Sequence, residues 1–107
     1  MSKSLGKSVS SSRLRFTISQ ASAAHILSGD STGGGHRSGA GKGKSEFPAL
    51  WTDQEILTAI EDIANDTHAI STRARMGRLK IRGVRKGVTV TVIVNPASWA
   101  IITGYPR

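Results

Sequence analysis

LKIRGVRKGVTVTVIVNPASWAIIT, residues 79–103, carries two runs of alternating side chains separated by Arg85-Lys86-Gly87. Alternation marks a strand with one dry and one wet face, and a glycine-containing break between two such runs predicts a β-hairpin. Val88, Val90, Val92 and Val94 then face a core. Asn95-Pro96 makes the next turn, and Trp99 to Thr103 is expected to form a third strand.

Upstream of this β-rich half the period changes. Thr52 and Glu55 have capping-box spacing, and Ile56, Ile60, Ile63 and Ala64 form one apolar stripe with Leu57 beside it. A helix from about Asp53 to Asn65 follows. Ser19 is a suitable N-cap for a shorter helix, Gln20 to Leu27, stopped by Gly29. Before it, Arg13 to Ile18 alternates basic and apolar residues, which suits a short edge strand with Leu14, Phe16 and Ile18 facing in. Trp51 and Trp99 are read as core residues. Short N-terminal helices packed on a central antiparallel sheet make an α+β domain over residues 13–107. Residues 1–12, mostly Ser, Lys and Gly, read as a flexible linker or a cut edge.

Charge narrows the partner. The 107 residues carry 15 Lys and Arg against 7 Asp and Glu, a formal charge of +8, which favours nucleic acid, an anionic membrane face or an acidic protein. With no cysteine there is neither a disulfide nor a thiolate metal site. No long apolar run is present, so neither a membrane anchor nor a signal peptide is expected in this chain. The charges are also segregated. Asp53, Glu55, Glu61, Asp62 and Asp66 cluster on the second helix, whereas Arg73, Arg75, Arg78, Lys80, Arg82, Arg85 and Lys86 follow with no acid among them. The acidic face is either solvated or a docking surface for another protein.

Seven of the 12 glycines lie between Gly29 and Gly43, in what must be a long loop. Gly34 and Gly35 let backbone N–H groups approach a ligand, and Arg37, Lys42 and Lys44 supply positive charge, so phosphate is the expected guest. His25 and His36 flank half of this loop. One neutral and one protonated imidazole supply the base and the acid that phosphodiester cleavage by a neighbouring ribose 2′-OH requires, with an ammonium to stabilise the phosphorane. Thr103 and Tyr105 alternate onto one face of the last strand, where a hydroxyl and a ring can hold a nucleotide.

Competing constellations are weaker. Gly41-Lys42-Gly43-Lys44-Ser45 approximates a nucleotide-binding P-loop, but Ser38 stands where its first glycine belongs. Zinc held by His25, His36 and His68 would lack any recognised spacing, and the carboxylates do not converge as a two-metal nuclease needs, so no metal and no cofactor are expected. His68 is read as a structural or surface residue. The alternatives to catalysis are a non-catalytic RNA- or DNA-binding module using the bases from Arg73 to Lys86, and a binder of an acidic protein using the same hairpin.

Several of these residues form ordered motifs: His25-Ile26-Leu27-Ser28-Gly29-Asp30, Gly33-Gly34-Gly35-His36, Gly43-Lys44-Ser45-Glu46-Phe47-Pro48 with Trp51, and Ile102-Thr103-Gly104-Tyr105-Pro106. Together they resemble the bacterial EndoU nuclease domain of contact-dependent growth inhibition and other polymorphic toxins, over about residues 22–107. The resemblance implies a fold of the barnase, EndoU, colicin and RelE type and a metal-independent endoribonuclease that leaves 2′,3′-cyclic phosphate and 5′-OH ends. It puts the two catalytic histidines on His25 and His36, the Thr-x-Tyr pair on Thr103 and Tyr105, and the catalytic lysine on Lys44. Lys42, or Lys80 or Lys86 of the hairpin, would be the alternative lysine. Transfer RNA as substrate, a cognate and possibly acidic immunity protein, delivery as part of a larger secreted or surface toxin, and action in a target-cell cytoplasm are further expectations of that resemblance.

Overall fold

The structure, a computed structural model, describes residues 15–107. The linker expected over residues 1–12, with Arg13 and Leu14 of the expected edge strand, lies outside the described residues. Helix α1 spans Gln20–Leu27 and α2 spans Asp53–Ala64; strands β1 (Ile70–Arg73), β2 (Leu79–Arg85), β3 (Val88–Asn95) and β4 (Ala100–Pro106) form one antiparallel sheet in chain order. The expected α+β architecture is present.

Local chemistry accounts for the helix limits. Ser19 accepts the N–H of Ser22 at the start of α1, and Thr52 and Glu55 complete a reciprocal capping box on α2. The stripe of α2 meets the inner face of the sheet: Ile56, Ile60 and Ile63 are fully buried against Val90, Val92, Val94 and Ile101. Each such side chain contributes about 1.5–3 kcal/mol of burial. Ile26, Leu27 and Phe47 extend the same core from α1 and the following loop.

The hairpin forms as expected, with a tighter turn. Lys86 and Gly87 alone connect β2 to β3, both with positive φ (50° and 77°), the combination that matches strand twist in two-residue turns.

Three expectations are corrected. Among the described residues of the expected N-terminal strand, Thr17 alone bridges to the sheet, in parallel with Ala100, while the Asn65 side chain holds both the N–H and the C=O of Phe16. The fourth strand is instead β1, every residue of which is exposed, so it has no hydrophobic alternation to betray it. The final strand begins at Ala100 and runs on to Pro106, because Trp99 takes a left-handed turn conformation (φ 58°); its ring packs tilted against Phe16, centroids 4.8 Å apart, but stays 38% exposed instead of entering the core.

Register matters most in β4. A bulge leaves Ile102 without a partner, so Ile101 pairs with Val94 on the dry face while Thr103 pairs with Ile93 on the other. Lys80 and Arg82 of β2, Thr91 and Ile93 of β3, and Thr103 and Tyr105 of β4 therefore share the outer face.

Candidate active site

Helix α1 leaves its last carbonyls to be satisfied by the glycine loop. The N–H groups of Gly35, His36 and Arg37 donate to the carbonyls of His25, Ile26 and Leu27 at 2.9, 2.7 and 3.1 Å. This short ladder folds the loop back along the helix end and brings His36 beside His25. Only glycine allows it at position 34, where φ is +79° and an added Cβ would lie 2.0 Å from the His25 carbonyl oxygen.

The two imidazoles are held alike. His36 Nδ1 lies 2.7 Å from the Ser45 carbonyl oxygen, and His25 Nδ1 lies 3.1 Å from both carboxylate oxygens of Asp30. Carbonyl and carboxylate oxygens only accept, so each Nδ1 carries the proton and donates it, leaving Nε2 as the free nitrogen. Asp30 remains ionised at acid pH: the Thr32 hydroxyl and backbone N–H, with His25, lower its pKa to about 2. For His36, burial first of all, with smaller effects of Lys44 and His25, holds the pKa below that of an ordinary imidazole despite the Ser45 hydrogen bond. A neutral His36 at neutral pH follows, with Nε2 as a base.

His36 borders a cleft of about 570 Å³ between the loop and the outer face of the sheet, lined also by Gly34, Lys44, Ser45, Lys80, Arg82, Thr103, Tyr105 and Arg107. Four cations and no acid surround it. The Tyr105 ring stands 5.6 Å from that of His36. Arg82 donates to Thr91 Oγ1, which itself donates to the Arg107 carbonyl, fixing the cleft floor.

The sequence-derived candidates thus divide. Gly34, His36, Lys44, Thr103 and Tyr105 line the cleft; His25 stands directly behind Gly34, its ring Cδ2 3.0 Å from where a Cβ there would be. Gly35 and Lys42 pack on each other beside it. Arg37 does not join them, because it pairs through two nitrogens with Asp53 at 2.9 Å each. Of the alternative lysines Lys80 lines the cleft, whereas Lys86 is bound to Glu55 at 2.8 Å and lies over Trp51. Arg82 and Arg107 were missed as cleft residues; alternation puts Lys80 and Arg82 on one face of a strand, but nothing in the sequence says that the face lies opposite His36. His68 is exposed, and among the described residues no three His, Cys, Asp or Glu side chains converge on one point.

Fold and cleft together define a small α+β protein whose open sheet face carries a cleft lined by four basic side chains. Residues 25–107 match the family model described as Bacterial EndoU nuclease, and the chain belongs to that family of nucleases. No curated protein and no solved structure matches the chain significantly.

Proposed function

We propose that this nuclease cleaves RNA by attack of a ribose 2′-oxygen on its own 3′-phosphate, without a metal ion. His36 Nε2 takes the 2′-OH proton as the new P–O2′ bond forms, and His25 gives its Nε2 proton to O5′ as the P–O5′ bond breaks. The products are a 2′,3′-cyclic phosphate and a 5′-OH. Lys44 stabilises the phosphorane charge, and Thr103 and Tyr105 hold the nucleotide. The observation carrying this reading is the pair of imidazoles, each tied at Nδ1, with His36 lining a cleft of four basic side chains and His25 directly behind its Gly34 wall. The division of labour rests on the environments: burial favours the neutral form of His36, while His25 donates its Nδ1 proton to the Asp30 carboxylate and keeps Nε2 for the leaving oxygen.

Incubation of the chain with transfer RNA and total RNA in excess EDTA tests the proposal. Cleavage should persist, end in cyclic phosphate, and fall by about 10²–10⁴-fold in either His25→Ala or His36→Ala. Loss of cleavage in EDTA, or indifference to both substitutions, would reject it. Transfer RNA as the preferred substrate, delivery by a larger toxin into a target-cell cytoplasm, and neutralisation by an acidic immunity protein complete the proposal. Site mapping in the RNA pool tests the first. Inhibition by such a partner, weakening with salt, tests the last.

A further inference from the structure

The bases from Arg73 to Lys86 do not act as one patch. Arg85 pairs with Asp66 at 3.4 Å and Lys86 with Glu55 at 2.8 Å, so the two at the hairpin turn are neutralised within the chain. Among the described residues no carboxylate pairs with Arg73, Arg75, Arg78, Lys80 or Arg82. Lys80 and Arg82 belong to the cleft already described. The remaining three do not.

Arg73, Arg75 and Arg78 surround a second depression of about 430 Å³, lined also by Met76, Ile93, Lys80 and Tyr105. Lys80 and Tyr105 border both hollows, so the two adjoin on the outer sheet face. No acid lines either part. The β1–β2 connection that walls the second part is closed by backbone hydrogen bonds from Ala74 N–H to Arg78 C=O and from Arg78 N–H to Arg75 C=O, at 2.9 and 3.1 Å. At its tip Met76 occupies the left-handed region (φ 60°, ψ 35°) and is 83% exposed. A non-glycine residue held there is strained, and its apolar, polarizable side chain stands in water beside Arg75 and Arg78.

We propose that this extension is a binding subsite for single-stranded RNA flanking the scissile phosphate, an inference that rests on the RNase reading above. Arg73, Arg75 and Arg78 take phosphates of the flank, and Met76 packs on an unstacked base, an arrangement open to single strands because their base faces are free. Adjacency to the cleft and charge complementarity single out a nucleic-acid strand as the occupant.

The test compares a dinucleotide with a 10-mer carrying the same cleavable step, in wild type and in the Arg75→Gln/Arg78→Gln double variant. The ratio of kcat/KM for 10-mer over dinucleotide should fall about tenfold, and the salt slope of binding to a 10-mer blocked by 2′-O-methylation should drop by about 1.4, or about 0.7 for each phosphate no longer neutralised. An unchanged ratio and slope would overturn the subsite. So would an equal fall for both substrates, which would locate the damage in the cleft. Wild type that cleaves neither substrate would reject the RNase reading instead, and binding of the blocked 10-mer would then decide the subsite alone. If the double variant does not fold, as circular dichroism would show, Arg75→Gln at its exposed position carries the same comparison.

Discussion

At the scale of single residues, His36 is where burial and chemistry meet. Its Nδ1 proton is committed to the Ser45 carbonyl, and desolvation holds the ring neutral where a free imidazole would begin to charge. The acidic limb of kcat/KM is therefore expected below the ordinary histidine value of about 6.5, and a pH–rate profile reads it directly. The same shift links to stability. The unfolded chain binds the proton more readily than the folded one, so stability is full above about pH 6.5 and declines as pH falls through the window below it. His36→Gln should lose less stability than wild type between about pH 7 and pH 5 in urea titrations. Asp30 works in the same sense at lower pH: its lowered pKa contributes stability that is full above the ordinary carboxylate range and is lost as pH falls towards about 2. The residues for this site were visible in the sequence as types and spacings. Their hydrogen-bond partners were not, since Ser45 and Asp30 are brought to the rings by loop folding.

At the scale of elements, β4 decides how the site is presented. Thr103 and Tyr105 reach the cleft because Gly104 between them lets α2 lie close on the opposite face; a Cβ at position 104 would come within 2.7 Å of Ile60 Cδ1 and 2.9 Å of its Cγ1. Ile60 is fully buried and has no room to turn. Gly104→Ala is accordingly expected to destabilise the fold by about 1–3 kcal/mol, measured by chemical denaturation, and to lower activity by displacing the flanking side chains. The alternation placing Thr103 and Tyr105 together is readable along the chain. The bulge at Ile102 is not, although without it Ile101 and Thr103 would share a face. Strand β1 escaped for a related reason: with no buried residue, it is defined solely by its hydrogen bonds to β2.

At the scale of the molecule, the net charge of +8 is sorted by folding. Three acids of α2 and its flanks, read as either a solvated face or a docking surface, pair within the chain: Asp53 with Arg37, Glu55 with Lys86 and Asp66 with Arg85. Among the described residues this leaves the unpaired basic side chains of β2 and the β1–β2 connection on the opposite side, at the cleft and the adjoining hollow. Four cleft cations engaging phosphates give an expected slope of about −3 for log affinity against log salt with single-stranded RNA. Anisotropy titrations over a range of salt would show it, and a slope near zero would contradict it. Helices, hairpin and caps, and the types and spacing of the candidate site residues, were determined by the sequence alone, because propensity, periodicity and capping act between residues near in the chain. Tertiary structure alone decided which basic residues are neutralised, which strand face is wet at the cleft, and that the glycine loop folds back along α1 to bring His36 towards His25. Those outcomes depend on contacts between distant segments, whose free energy exists only once the core of α2 and the sheet has closed.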